Sequence, residues 1–381
     1  MRRFNITGLC VPEEDYMVDI SPKINEISKL IGDRAYFTIN RPRQYGKTTL
    51  LSQLYRNLSA SYTMLFLSFE GLGDDTMATE SGFCRTFMEL VQTALFLQDD
   101  IEASYADEWV NENVATFHQL GRHMTKMTKG KKLVLMIDEV DRISHNRVFL
   151  HFLGLLRQKF LARKDGMDFT FHSVILTGVY DIKNIKLKLI NEGSYTPSES
   201  ENKLQNSPWN IATAFRVDMH FKPAEIATML TEYEIDHQLG LDIPLLSQEI
   251  YRFTSGYPVL VSTICKIIDE QLNKQWTLSG VHEAVKLMMR EESVLQQDLT
   301  KNLHSNQALS NLIYDILILG RYRSFFIGDP NISLGVRYGY LQDNSDSVKI
   351  TNKIFEVWMS RYFIAQDEHN NSYGIQKLDT Y

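Results

Sequence analysis

Four short apolar runs punctuate the first half of the chain. Tyr36-Phe37-Thr38-Ile39, Thr63 to Phe69, Leu133 to Ile137 and Val174-Ile175-Leu176 each read as a strand. Unbroken apolar runs of this length suit strands covered on both faces of a parallel sheet. Between them the period lengthens to that of a helix. Leu50, Leu51, Leu54 and Leu58 form one apolar face after the first run. Residues 80–98 and 113–127 read as helices, and 146–163 as another with Val148, Phe149, Phe152, Leu155, Leu156 and Phe160 on its apolar side. Ahead of the first strand, Ser21 reads as an N-cap and Pro22 as the first helical position of a helix carrying Ile24, Ile27, Leu30 and Ile31. Phe215 to Phe221 alternates as a further short strand, and a helix follows from Pro223 through Tyr233. Strands alternating with helices predict a three-layer α/β fold on a parallel sheet.

Beyond residue 223 helical periodicity holds to about residue 320. Gly256 and Pro258, in Thr254-Ser255-Gly256-Tyr257-Pro258, mark a turn before a helix over 259–272. A helix over 309–320 turns Leu309, Leu312, Ile313, Ile316 and Leu317 inward. Tyr338 to Leu341 and Val348 to Ile350 read as a hairpin around Asp343-Asn344-Ser345, before a last helix over 352–363 with Ile354, Phe355, Trp358 and Tyr362. Helices followed by a hairpin predict a winged-helix-like unit. The expected division is an α/β core over 1–222, a helical lid over 223–300, the winged-helix-like unit over 301–365 and a polar, fraying tail over 366–381. Residues 191–207 are polar and read as an exposed, mobile loop.

The chemistry lies where strands end. The first strand runs through a turn, Asn40 to Gly46, into a helix opening at Lys47. A helix N-terminus offers unpaired N–H groups and partial positive charge, which favour phosphate. Gly46 lets the backbone curl close, Lys47 adds a mobile cation and the Thr48 hydroxyl suits Mg²⁺. Arg43, Gln44, Tyr45, Gly46, Lys47, Thr48 and Thr49 are therefore the candidate phosphate cradle. Arg41 stands where the full phosphate-loop pattern has its first glycine. The third apolar run ends in Asp138-Glu139. An acid there can hold Mg²⁺ together with Thr48, and its neighbour can orient an attacking water, so Asp138 is the metal candidate and Glu139 the hydrolytic one. The cradle is expected to face both acids across neighbouring strand tips. Thr177, ending the fourth run, is either a γ-phosphate sensor or a strand-end residue with no role. Arg157 and Arg163 are candidate arginine fingers, against the simpler reading of a solvated helix face. Phe4 or Tyr16 could stack on a base, against plain core packing. The loop, the two acids and Thr177 all fall at the carboxyl ends of strands, where such sheets bind ligands.

Composition narrows the function classes. The chain has 381 residues, 44% of them hydrophobic, and a net charge of −7, so no global basic field advertises nucleic acid. Residues 306–381 hold seven basic and eight acidic residues, which gives DNA only weak support and favours a protein partner or self-association. Three scattered cysteines, Cys10, Cys84 and Cys265, suit reduced thiols and argue against a disulfide framework or a zinc site. No apolar run approaches a membrane span and Arg2-Arg3 precedes no apolar leader segment, so a soluble, cytoplasmic protein is expected.

Taken together, YFTINRPRQYGKTTLL, LVLMIDEVD, FTFHSVILTGVYDIKNIK, SPWNIATAFRVDM and TSGYPVLVSTIC resemble, in this order, the bacterial AAA-like ATPases, relatives of the archaeal-type ATPases and the STAND signalling NTPases. The resemblance covers residues 4 to 290. It implies a P-loop fold that binds ATP and Mg²⁺, with Lys47, Thr48, Asp138 and Glu139 in the roles above. Close relatives also carry the strand-RPR-x-x-GK sequence, so Arg41 is no obstacle. The turn at 254–258 resembles the Gly-x-Pro turn of the helical lid in STAND and origin-recognition ATPases, which implies that Pro258 lies against nucleotide. Some relatives add a C-terminal nuclease; no D…E-x-K constellation follows residue 290. The expected function is an ATP-hydrolysing switch, with ATP docked between core and lid and its state coupled to a partner. The alternative is a nucleotide-gated protein- or DNA-binding module with negligible turnover. A P-loop kinase fits less well, because transfer to an acceptor needs no hydrolytic base and no arginine-rich acceptor lid is visible.

Overall fold

The computed structural model describes residues 2–98, 114–143, 147–179, 209–215 and 217–378. Four parallel strands, β1 (Tyr36–Asn40), β2 (Thr63–Ser68), β3 (Leu133–Asp138) and β4 (Ser173–Gly178), form one sheet in the order β1-β4-β3-β2. Every residue of β3 and β4 is buried, as their unbroken apolar runs require. The register brings the strand tips level: Ile39 pairs with Thr177, Asn40 with Gly178, and Ser68 with Asp138. One expectation is corrected here. The phosphate-loop strand and the acid strand are not neighbours, because β4, last of the four in sequence, inserts between them.

Helices α1 (Ser21–Gly32), α2 (Lys47–Leu58), α3 (Glu80–Phe96), α4 (Phe117–Thr128) and α5 (Arg147–Lys164) flank the sheet strands in sequence. Their starts are chemically marked. The Thr79 hydroxyl accepts from the Gly82 N–H ahead of α3, and Thr116 with Gln119 forms a capping box on α4. Phe83, Phe87, Phe149, Phe152, Leu120 and Met124 join the strand side chains in one apolar core. The predicted strand over 215–221 does not form among the described residues. Thr213 makes a single parallel bridge to Phe37, and the Phe215 ring stacks on Phe37 at 5.9 Å. The polar segment 191–207 lies outside the described residues.

The chain forms two bodies, one of residues 21–41 and 47–217, the other of residues 1–20, 42–46 and 218–381. The second holds helices α6 (Pro223–His237), α7 (Ile243–Thr254), α8 (Pro258–Glu270), α9 (Leu278–Met288), α10 (Val294–Ser305), α11 (Gln307–Leu317) and α12 (Pro330–Arg337). A hairpin of β5 (Leu341–Asn344) and β6 (Ser347–Ile350) follows, and then α13 (Lys353–Leu378), which extends past Gln366 into the polar segment. The stretch around Ser324 adds to the hairpin, because the Val348 N–H donates to the Arg323 carbonyl and the Phe325 N–H to the Asp346 carbonyl. Helices, this three-part β element and a closing helix make the winged-helix-like unit. Phe4 and Tyr16 pack with Tyr233 and Trp276 in an aromatic cluster of this body. Both are almost fully buried, so core packing, not base stacking, is their role. Among the described residues no helix is long and apolar enough to cross a membrane.

Candidate functional site

The tips of β3 and β4 and the first turn of α2 meet at Asp138. Thr48, the second residue of α2, donates its hydroxyl to Asp138 Oδ2 at 2.7 Å. Thr177, near the end of β4, donates to Asp138 Oδ1, and so does the Glu139 N–H at 2.9 Å. Asp138 is 3% exposed, and a carboxylate taken that far from water needs such donors. The insertion of β4 between β1 and β3 is what lets Thr177 reach this carboxylate. Lys47, at the helix start, is 7% exposed, and its ammonium donates to the Arg41 carbonyl at 3.0 Å.

Glu139 stands in the left-handed region, at φ 55° and ψ 39°, and caps a short 3₁₀ turn over Val140–Arg142. That conformation costs a non-glycine residue about 1–2 kcal/mol, and such strain gathers at functional sites. Asp141 escaped the sequence reading. Its carboxylate accepts from the Val179 N–H just past β4. A Cβ at Gly178 would lie 2.7 Å from Asp141 Oδ1, so a larger residue there would have to displace the Asp141 carboxylate. The signal was present in the third acid of Asp138-Glu139-Val140-Asp141 and in Thr177-Gly178.

The phosphate-loop candidate occupies 40–47. Gln44 has φ 56° and Gly46 φ 74°. A Cβ at Gly46 would meet nothing within 4 Å, so the glycine is required by backbone angle and not by space. Turns of this kind gather successive N–H groups into anion-binding concavities. Arg41, in place of the first glycine, is a tether: its guanidinium donates to the Asn40 carbonyl at 2.9 Å and the Val217 carbonyl at 3.0 Å, over the Phe215 ring. Thr49 is half-buried in the first turn of α2. Arg43 is exposed and Tyr45 buried. Pro258 opens α8 and is buried; the residue of its turn that reaches the loop is Tyr257, whose hydroxyl donates to the Arg43 carbonyl at 3.0 Å.

Among the described residues neither candidate arginine finger hydrogen-bonds to this cluster. Arg163 is not on a solvated face. Its guanidinium donates to the carbonyls of Phe171, His172 and Arg34 and lies over the Tyr36 ring. Burial holds its pKa below the ordinary value. Arg157 is half-buried on α5, and among the described residues no hydrogen bond joins it to Lys47, Thr48, Asp138 or Thr177.

Thr48 and Asp138 offer a hydroxyl and a carboxylate, hard oxygens that suit Mg²⁺. Among the described residues no cluster of three His, Cys, Asp or Glu side chains could cage a metal by itself. A cation here would complete its shell with phosphate or water oxygens, as Mg²⁺ commonly does.

A family model described as the AAA-like domain matches residues 25–321. A Walker-type ATPase of Pyrococcus abyssi superposes with a TM-score of 0.58 at 12% identity, over 94% of this chain and 99% of that one. The ORC2 protein of Aeropyrum pernix, in ADPNP–ADP complexes, gives 0.44 at 10% identity, over 96% and 98%. Cdc6p of Pyrobaculum aerophilum gives 0.42 at 13% identity, over 95% and 97%. At these identities the likeness to the Pyrococcus protein is one of fold. Comparison with curated proteins finds no match.

Proposed function

The chain belongs to the AAA-like domain family of P-loop ATPases, and from that premise we propose that it is a Mg²⁺-dependent switch whose nucleotide state is read by a protein partner or a second copy. The observation that carries the reading is Asp138, with Thr48 on one carboxylate oxygen and Thr177 on the other. It joins the helix that opens the phosphate loop to two strand tips around one hard-oxygen site. Lys47 exchanges the Arg41 carbonyl for a phosphate oxygen, and the N–H groups of residues 43–49 cradle the rest. Mg²⁺, held by Thr48 and Asp138, would neutralise charge on the β- and γ-phosphate oxygens. Thr177, whose hydroxyl donates to the proposed metal ligand Asp138, is the candidate γ-phosphate sensor. Glu139 orients the water, and its left-handed backbone, of the kind found at functional sites, supports that role. Arg157 is the finger candidate left on α5, and Pro258 is the candidate of the 254–258 turn to lie against nucleotide.

Switching draws support from the division of the chain. Residues 42–46, the apex of the phosphate loop, belong to the same body as residues 218–381. A change in that apex on nucleotide binding is therefore felt by the helices and hairpin that a partner would contact. The C-terminal charge balance favours protein over DNA. Burial pushes the Cys84 thiol up to about 12, so it is a core side chain and not a reactive thiol.

Steady-state phosphate release with Mg-ATP tests the hydrolytic half. Glu139→Gln should keep ATP bound while lowering turnover about a hundredfold or more, and Lys47→Ala should abolish binding. Wild-type turnover in Glu139→Gln removes Glu139 from the reaction. Tight binding with no release by the wild-type chain supports the nucleotide-gated module instead.

A further inference from the structure

We propose that Tyr257 is a positioning residue for the phosphate loop, holding the Arg43–Gln44 peptide so that its N–H faces the phosphates. The inference rests on the reading of residues 40–48 as an ATP cradle, and it adds a residue to which no role in that reading was given. Residues 42–46 share a body with residues 218–381, so the loop apex and Tyr257 are packed as one unit. Tyr257 is fully buried, and its hydroxyl donates to the Arg43 carbonyl at 3.0 Å. Among the described residues no peptide bond is cis. In a trans planar peptide the carbonyl and the following N–H point opposite ways. Anchoring the Arg43 carbonyl on Tyr257 thus aims the Gln44 N–H away from the helical body.

Three further contacts grip the same apex. The Tyr45 ring stands edge-on to the Tyr257 ring at 4.8 Å, and Tyr257 itself packs on Phe355 of α13 at 5.3 Å. Gly339, just past α12, has φ 73°, and a Cβ there would fall 2.8 Å from Pro42 Cγ and 3.3 Å from Tyr257 Cε2. Only glycine lets the winged-helix-like unit come this close to the loop. Arg43 Nη1 lies 3.8 Å from Asp298 Oδ2 on α10, an oxygen that is buried and has no hydrogen-bond partner among the described residues. Gln44 is held at φ 56°, a conformation a non-glycine residue keeps only where its surroundings over-determine it. Tyr257, Gly339 and Asp298 supply those surroundings. Burial, the largest influence on it, also raises the Tyr257 hydroxyl well above its ordinary pKa, so it remains a donor at any working pH.

The test compares wild-type chain, Tyr257→Phe, Asp298→Asn and Lys47→Ala for Mg-ATP affinity by calorimetry, and for melting without nucleotide. Tyr257→Phe keeps the ring and removes one donor. Its affinity should fall about tenfold while nucleotide-free melting stays close to wild type, since the exposed Arg43 can give its carbonyl to water. Asp298→Asn should weaken binding in the same direction by a smaller factor, and keeps the proposal testable if Tyr257→Phe folds poorly. Wild-type affinity in both variants overturns the positioning role and leaves the ATP cradle standing. A lowered melting temperature with unchanged affinity also overturns it, because that is the mark of packing alone. Absence of binding by the wild-type chain, with Lys47→Ala indistinguishable from it, overturns the cradle itself.

Discussion

Asp168 shows how much one carboxylate can hold in place away from the nucleotide site. Lys159 of α5 is almost fully buried, and its ammonium donates to Asp168 Oδ2 and to Thr125 Oγ1, both at 2.6 Å, and to the Gly121 carbonyl at 2.9 Å. Burial works to raise the Asp168 pKa, but the hydrogen bonds from Lys159, Thr125 and the Phe169 N–H outweigh it and hold the carboxyl below its ordinary 3.8. A group depressed in the folded state lends stability that is complete above 3.8 and fades as pH falls through the lower folded value. Asp168→Ala strands a buried cation and should cost about 2–3 kcal/mol at pH 7. In urea titrations the gap between variant and wild type should narrow toward pH 2; a gap that stays constant with pH would refute the pairing. The sequence singled out Lys47, Thr48, Asp138 and Glu139 as candidates because each sits at a local junction of strand and turn. It hid Asp141 and Tyr257, whose partners lie 38 and 214 residues away along the chain. Periodicity carries no record of such contacts.

At the scale of elements, the four strands were legible because buried parallel strands are continuously apolar. Their order was not, since any of the apolar runs could lie beside any other. The same limit explains the segment after Trp209: alternation from Phe215 looks like a strand, yet only Thr213 bridges to β1. Helix starts were clearer, because caps and prolines mark them locally. The turn between α7 and α8 was recognised from Gly256 and Pro258, and its geometry now explains the glycine. Gly256 has φ 73°, and a Cβ there would lie 2.0 Å from the Phe221 carbonyl oxygen, which is backbone and cannot swing aside. Gly256→Ala should therefore destabilise the chain by about 3 kcal/mol through strain and displacement. A denaturation midpoint equal to wild type would show that the turn adapts freely. Because Tyr257 follows directly, the variant should also weaken nucleotide binding, so the two effects are to be measured separately.

At the scale of the whole molecule, the chain crosses between its two bodies four times, at residues 20, 41, 46 and 217. Two of these crossings bracket the loop apex. Nothing in the pattern of apolar positions announces that Phe4 and Tyr16 pack on Tyr233 and Trp276, or that residues 42–46 settle among the helices beyond 218. These are pairings across some two hundred residues, decided by which apolar surfaces remain when each body forms. They also put residues 42–46 of the candidate phosphate loop in the body that carries the hairpin. The whole account stands on Lys47, Thr48 and Asp138 forming one nucleotide site. Calorimetric titration of Mg-ATP into the full chain tests it most directly. The account predicts saturable binding of one ATP per chain, weakened by removal of Mg²⁺ and abolished in Lys47→Ala; the absence of any binding heat from the wild-type chain, across temperatures, would contradict it.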